Sequence, residues 1–340
     1  KFHDDGGPLI HIARDDTRAL ALKTAITFFD PNIAFLEFPA WDCVPYDLVS
    51  PNKEISCLRM SALTTLALEK AKTHIIITTV NAICQRVPPK DFIESASFVL
   101  EVGKSFNRDH LICHLVSMGY VNSSTVTAKG EFAVRGGIID IFSPNTKFPT
   151  RLDFFGDSLD RAKHFDIDTQ LSKGSIDKLL LFPVSEFVLN DENIKYFRNS
   201  YRHLFGSNGL TDPLYESISA GRSYLGYEHW GPLFFKEMHT LFDYVSKTTS
   251  VFLDFEVDKI MLERWNSVNE RFEDRLAYIK GKSSFSRNHQ PLNPEELYID
   301  KKEWLQLTVD RVVFVFFPTK VPVGLNSVNI GGVIGRNFII

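Results

Sequence analysis

Strand-like apolar runs alternate with helical segments in the first hundred residues, and this alternation limits the fold more than any other feature. Three runs are predicted to be strands: residues 8–13, 34–38 and 74–79. Helices are predicted between them over Asp15–Phe29 and Asn52–Lys72, because apolar residues recur near helical spacing. Continuous apolar strands joined by helices indicate a parallel sheet that is buried on both faces. We therefore expect an α/β domain over residues 1–96.

Residues 97–184 have a different character, with short strands separated by turns. The strand-like segments are Phe98–Val102, Gly130–Phe142, Thr150–Phe155 and Leu179–Phe182. Turns are predicted at Gly136-Gly137, Pro144-Asn145 and Gly156-Asp157. A single helix, Asn107–Met118, is predicted among them, with Leu111 and Leu115 on one face. This pattern indicates a small α+β domain inserted between α/β segments.

Residues 185–340 are mixed, and we expect them to complete the first domain. Predicted helices and strands are Glu192–Leu204, Ser250–Phe255, Lys259–Lys280 and Val312–Phe316. The polar stretch Gly281–Glu295 contains two prolines and is predicted to be an exposed loop. The apolar end, Asn337–Ile340, suggests a chain that is truncated inside a larger protein.

Composition excludes several classes of protein. The 38 Lys and Arg residues against 42 Asp and Glu residues give a net charge of −4, which argues against a module that binds DNA by neutralising phosphates. No run of 18 apolar residues predicts a membrane span, and the opening residues 1–5 lack the apolar region of a signal peptide. The four cysteines form no C-x-x-C pair, so we expect buried, reduced thiols and a cytoplasmic protein.

No motif in the chain predicts catalysis, a cofactor or a metal. The tripeptides at 103–105 and 281–283 end like a phosphate-binding loop, but each lacks the first glycine of the motif. His110 and His114 have helical spacing without the glutamate of a zinc protease. No Ser–His–Asp order or nucleophile elbow is present. We therefore predict no catalytic, cofactor or metal site in this chain.

The strand Thr150–Phe155 carries the most informative residues. Because side chains alternate along a strand, Leu152 and Phe154 should face the core, while Arg151, Asp153 and Phe155 share the other face. An arginine, an acid and a large aromatic ring are typical of an interface hot spot. The alternative is that Phe155 packs under a loop and Arg151 pairs with Asp153 or another acid. On an exposed face, alanine at Arg151 or Phe155 should change stability little.

Residues 131–142, EFAVRGGIIDIF, resemble the R-G-x-F-R-V-R-G-x-x-I-D-I-F stretch of UvrB-type second domains. Residues 151–157, RLDFFGD, continue the resemblance. One difference is Ala133, which stands where the UvrB pattern has an arginine. A second is the short distance from Pro45-Tyr46 to Arg59, too few residues for the aromatic hairpin of UvrB.

Four further segments resemble bacterial transcription-repair coupling factors, in order along most of the chain. They are residues 41–51 (WDCVPYDLVSP), 59–63 (RMSAL), 79–87 (TVNAICQRV) and 226–235 (GYEHWGPLFF). This resemblance implies a parallel-sheet, UvrB-like domain of a degenerate helicase type, with an inserted small α+β domain.

The resemblance also implies a function. Members of this family recognise stalled RNA polymerase, displace it with an ATP- and magnesium-dependent translocase on duplex DNA, and recruit UvrA. This chain would be the UvrA-recruiting module and would itself be non-catalytic. Arg135, Arg151 and Phe155 match positions with which the family binds UvrA. Neighbouring candidates are Lys129, Glu131 and Asp153.

Two alternatives follow from the same resemblance. In the first alternative, the chain is a UvrB-like, ATP-dependent helicase or damage-binding module. The missing phosphate loop, the missing hairpin and the acidic net charge count against it. In the other alternative, the UvrA surface is masked by the C-terminal region of the longer protein until polymerase is engaged.

Overall fold

The computed structural model describes residues 8–33, 35–69, 75–206, 211–281, 289–317 and 321. The strands are β1 Leu9–Ala13, β2 Phe35–Phe38, β3 Ile75–Thr79, β4 Phe98–Glu101, β5 Val121–Asn122, β6 Glu131–Arg135, β7 Ile138–Ile141, β8 Thr150–Phe155, β9 Ser158–Phe165, β10 Ser172–Ser175, β11 Lys178–Leu181, β12 Ser250–Leu253 and β13 Val313–Val315. The helices are α1 Asp16–Phe29, α2 Lys53–Leu68, α3 Val80–Ile83, α4 Lys90–Ala96, α5 Arg108–Ser117, α6 Asp191–Phe205, α7 Pro213–Ser219, α8 Val257–Lys280, α9 Pro294–Leu297 and α10 Lys301–Val309.

A five-stranded parallel sheet confirms the α/β prediction. Its order is β13-β12-β1-β3-β2, so strands from the end of the chain lie beside strands from its beginning. His11 of β1, for example, lies between Phe252 of β12 and Ile77 of β3. Ile10 and Ile12 are fully buried in the core that this sheet forms with α2 and α8.

A separate six-stranded sheet, of order β10-β9-β8-β7-β6-β5, lies within the predicted α+β region. Buried side chains of this sheet, such as Phe132, Ile139 and Leu152, share a core with Leu111 and Leu115 of α5. Strands β4 and β11 form a short antiparallel pair beside it. The strand-like segment Gly130–Phe142 is a hairpin of two strands, β6 and β7, and the predicted turn at Gly136 and Gly137 is confirmed.

Two segments that carried the family resemblance pack against each other in a third, aromatic core. Trp41 and Tyr46 from the first segment contact His229 from the second, with ring centroids 5.9 and 6.5 Å away. The backbone N–H of Gly226 donates to the Ser50 hydroxyl at 3.0 Å. The segments are therefore partners in one structural unit, although about 180 residues separate them.

A buried arginine joins three distant parts of the chain. The Arg59 side chain is fully buried and donates to both carboxylate oxygens of Glu186, at 2.6 and 3.1 Å. It also donates to the Pro39 carbonyl and to Gln85 Oε1. The Trp41 indole N–H donates to the same glutamate at 2.8 Å. A buried cation with this many acceptors fixes the segments around it.

Two further predictions differ from the structure or lie outside it. Cys113 is exposed, and Cys43 is partly exposed, whereas Cys57 and Cys84 are buried as expected. The predicted loop Gly281–Glu295 overlaps the start of the short helix α9, while residues 282–288 and 337–340 lie outside the described residues.

None of the helices among the described residues is long and apolar enough to cross a bilayer. The same residues contain no group of three His, Cys, Asp or Glu side chains that could hold a metal ion.

Candidate partner-binding surface

Strand β8 separates the core from an exposed face, as its alternation predicts. Leu152 and Phe154 are buried in the core of the six-stranded sheet. Arg151, Asp153 and Phe155 lie on the other face, where the Phe155 side chain is 86% exposed. The alternative in which Phe155 packs under a loop is therefore wrong.

The β6–β7 hairpin places Arg135 on this same face. Its turn requires glycine, because Gly136 has φ +60° and a Cβ at Gly137 would lie 2.8 Å from the Phe154 carbonyl oxygen. The close approach permits a hydrogen bond of 2.9 Å from the Phe154 N–H to the Gly137 carbonyl. The glycine pair thus fixes the β6–β7 turn beside β8.

The strand register orders the face into two rows. The inner row runs across four strands as Ala133, Asp140, Arg151 and Lys163. The outer row runs as Arg135, Ile138, Asp153 and Arg161. Phe155 lies beyond the outer row, opposite Ser158 at the β8–β9 turn.

Arg151 is held by a buried carboxylate, which corrects the expectation of a freely replaceable exposed arginine. Its Nε and Nη2 donate to the two Asp140 carboxylate oxygens at 2.7 and 2.9 Å, and Nη2 also reaches Gln170 at 3.2 Å. The guanidinium lies 4.6 Å from the Phe165 ring centroid. Hydrogen bonding to Asp140 raises the pKa of Arg151 above the ordinary value of an arginine. The alternative of pairing with another acid is confirmed, and that acid is Asp140.

Arg135 has a different environment. Its Nη2 donates to the Ser124 carbonyl at 2.9 Å and to the Thr125 hydroxyl at 3.0 Å. Both acceptors are neutral, so the hydrogen bonds orient the guanidinium without cancelling its charge. Arg135 therefore presents a positioned cation at the exposed end of β6.

Lys129 and Glu131 lie away from Phe155 and stabilise turns. Lys129 Nζ donates to the Pro144 carbonyl at 2.7 Å. A carboxylate oxygen of Glu131 accepts from the Thr127 and Ala128 N–H groups, at 2.8 and 2.9 Å. Burial raises the pKa of Glu131, but these hydrogen bonds outweigh it and the pKa is lowered. Four of the predicted residues thus form one face: Arg135, Arg151, Asp153 and Phe155. Lys129 and Glu131 instead stabilise the turns next to β6 and β7.

The arginine missing from the UvrB pattern has a structural explanation here. Ala133 is buried in a small cluster with Val126, Phe142 and Phe165. A long cation at this position would displace those apolar side chains.

The Arg151 side chain contacts three residues that were not among the predicted site residues: Asp140, Phe165 and Gln170. The signal for Asp140 was a lone carboxylate in the run Ile138–Ile141, where burial demands a partner. Its partner is set by the β7–β8 register, which the sequence alone does not specify.

Comparison with known proteins agrees with this geometry. The model of the UvrB interaction domain family matches residues 98–187. Transcription-repair-coupling factors are similar over most of the chain: 34% identity over 296 residues for Rickettsia bellii, 35% over 269 for Haemophilus influenzae and 30% over 329 for Escherichia coli. These alignments cover 87%, 78% and 92% of this chain.

The same alignments cover 26%, 22% and 27% of the relatives, so the chain spans about a quarter of their length. The order of the resembling motifs, the family-model match and the extent of these alignments agree. We therefore identify the chain as a homologue of transcription-repair-coupling factors that carries a UvrB interaction domain over residues 98–187.

Proposed function

We propose that this chain recruits UvrA through the exposed face of β8, as a non-catalytic module of a protein that couples transcription to nucleotide excision repair. The observation that carries the proposal is Phe155, a phenylalanine that is 86% exposed inside the matched UvrB interaction domain. Arg135 and Arg151 lie on the same face. An exposed aromatic ring with two positioned guanidinium groups is the composition of a binding hot spot.

The chemistry of this face fits a protein partner. Aromatic and arginine side chains supply large contact areas and directional hydrogen bonds, which are the usual anchors of protein interfaces. Held by Asp140 through Nε and Nη2, the Arg151 guanidinium is oriented before any partner arrives. Pre-orientation lowers the entropy cost of binding.

Purified chain and purified UvrA provide the direct test. We expect a saturable complex in calorimetric titration and co-elution of the two proteins on a sizing column. No binding at micromolar concentrations of both proteins would contradict the proposal.

The rival function, an ATP-dependent helicase or damage-binding module, is disfavoured by the carboxyl edge of the parallel sheet. Only Arg14 and Asp15 separate β1 from α1, so this junction holds no glycine-rich phosphate loop. The Asp15 carboxylate occupies the helix N-terminus and accepts from the Arg18 N–H at 2.8 Å. With Asp16 in the first turn, this end of α1 repels phosphate. These features support a degenerate, UvrB-like helicase fold without nucleotide binding.

The remaining assignments belong to the same proposal. Residues 1–96 and 185–340 would form the UvrB-like first domain and its continuation, with residues 97–184 as the UvrA-binding unit. In the longer protein, other domains would contact RNA polymerase and duplex DNA and would use ATP and magnesium. Masking of the β8 face by the C-terminal region of that protein would delay recruitment until polymerase is engaged. We also propose a cytoplasmic location.

A further inference from the structure

The three matched residues are too few to form a complete interface. A stable protein contact buries about 800 Å² on each partner, which takes some 20–30 residues. Arg135, Arg151 and Phe155 lie on strands β6 and β8 only. A partner that covers Phe155 must therefore also lie over a neighbouring part of the sheet.

The face is closed in one direction by the segment before β6. Ser124 and Thr125 lie against Arg135, and Val126 is buried over Ala133. At the inner end, Phe165 and Gln170 enclose the Arg151 guanidinium. In these two directions the chain's own residues cover the face, so a partner cannot extend its contact there.

The open direction is across β9. Phe155 lies opposite Ser158, the first residue of β9, and Asp153 lies opposite Arg161. The Arg161 side chain is 65% exposed, and all four residues of β10 beyond it are exposed. A partner seated on Phe155 therefore meets β9 first.

The open part presents an exposed cation, Arg161, that can meet a carboxylate of a partner. Arg161 and the partly buried Lys163 lie on β9 beside Asp153, and Arg135 lies at the far end of the outer row. The nearby Asp160 is 3.3 Å from Arg161, but both side chains are mostly exposed, and such pairs stabilise weakly. Arg151 adds little net charge because Asp140 balances it. Asp157 lies in the exposed β8–β9 turn, so the patch carries both signs, and Arg161 is its exposed cation on β9 because Lys163 is half-buried.

We propose that β9 is part of the partner-binding surface, with Arg161 as its contact residue and a carboxylate-bearing surface of the partner opposite it. This inference rests on the proposed function, because it extends the face that Phe155 anchors. It assigns the electrostatic contact to a strand outside the matched motifs, and it gives the partner an apolar pocket for Phe155 beside an acidic rim.

The test compares four proteins for UvrA affinity by calorimetry at low and high salt: wild type, Phe155→Ala, Arg161→Glu and Lys195→Glu. Lys195 is an exposed lysine of α6 and serves as the matched charge control. We expect Arg161→Glu to weaken binding by about tenfold at low salt and by less at high salt, since exposed charges are screened. Lys195→Glu should bind within about twofold of wild type, because the exposed α6 lysine is outside the proposed surface. Melting temperatures confirm that the variants are folded.

Each outcome separates the inference from the function. If Phe155→Ala binds weakly while Arg161→Glu binds like wild type, β9 is not in the surface and the proposed function stands. If Lys195→Glu loses as much affinity as Arg161→Glu, the effect comes from net charge and the inference is overturned. If Phe155→Ala binds like wild type, the proposed function fails and this inference fails with it.

Discussion

Phe155 and Arg151 lie on the same face of β8, yet they differ in what holds them. The Phe155 ring is exposed to solvent, whereas the Arg151 guanidinium neutralises the Asp140 carboxylate, which is 2% exposed. Exposed side chains are removed at little cost to folding, but a buried charge that loses its partner is costly. The two residues therefore call for different experiments.

Phe155→Ala is expected to separate binding from stability. The free energy of unfolding should stay within about 0.5 kcal/mol of wild type, because the ring makes little contact with the core. UvrA affinity should fall by about thirtyfold, equivalent to about 2 kcal/mol, if the ring is a hot spot. Urea unfolding and calorimetric titration of the same preparation check both values. A large loss of stability would show that the ring supports the fold.

Arg151→Ala is expected to destabilise the domain, in contrast to the expectation from strand alternation. It leaves the buried Asp140 carboxylate without its two strongest donors, at a cost of about 2–3 kcal/mol. The double variant Asp140→Ala/Arg151→Ala should recover part of this loss, because no unpaired charge remains. Urea unfolding of the two single variants and the double variant measures the coupling. Purely additive losses would contradict the pairing.

At the scale of elements, the packed motif segments carry a pH dependence. The Glu228 carboxyl accepts from the Ser50 hydroxyl at 2.8 Å within the contact between residues 41–51 and 226–235. Burial raises the pKa of Glu228 from 4.5 to about 7. Burial lowers the pKa of the adjacent His229 from 6.5 to about 4.

The two groups act in opposite directions. The folded chain binds the Glu228 proton more tightly, so this stability is complete below about pH 4.5 and is lost as pH rises through 7. The folded chain binds the His229 proton more weakly, so that stability is complete above about pH 6.5 and is lost as pH falls through 4. Their changes offset each other in the range between.

Glu228→Gln is expected to remove one side of this balance. The amide keeps a hydrogen-bonding group near Ser50 but cannot ionise. Relative to the variant, wild type should lose stability between pH 5 and pH 8, by up to about 3 kcal/mol for the shift in pKa. Urea unfolding of both proteins at the two pH values gives the difference. The same pH dependence in both proteins would exclude Glu228 as the source.

The elements that sequence predicts well are those with strong local signals. Helix α5 begins after Asn107, whose side chain accepts from the His110 N–H, and the predicted segment 107–118 matches it closely. Strand β9 was not predicted, because charged residues such as Asp160, Arg161 and Lys163 interrupt its apolar alternation. It forms because β8 offers it a paired edge.

The same reasoning applies to the site. Alternation placed Arg151, Asp153 and Phe155 on one face, because that depends on one strand only. The Asp140 partner of Arg151 depends on the pairing of β7 with β8, and the Gln170 contact depends on a loop after β9. Contacts between distant segments leave little trace in a single sequence.

At the scale of the whole molecule, Arg59 connects parts that the chain order separates. Arg59→Ala should destabilise the protein by about 3–5 kcal/mol, because Glu186 would be left buried without its partner. Glu54→Ala, on the exposed side of the same helix, should remain within about 0.5 kcal/mol of wild type. Urea unfolding of both variants tests the difference. Equal stabilities would show that Arg59 is dispensable for the fold.

The last prediction concerns nucleotide binding, which distinguishes an adaptor from an ATP-driven module. The chain contains no complete phosphate-loop motif. Helix α1 begins at Asp16 with Asp15 as its cap, so two carboxylates also make this helix N-terminus unfavourable for phosphate. Titration of the chain with ATP and magnesium should therefore give no saturable heat at millimolar nucleotide. The same preparation should still bind UvrA, which shows that it is folded and competent. A micromolar nucleotide site would favour the helicase alternative. If it lay at α1 it would also require a compensating cation, because carboxylates at a helix N-terminus cannot hold a triphosphate without one.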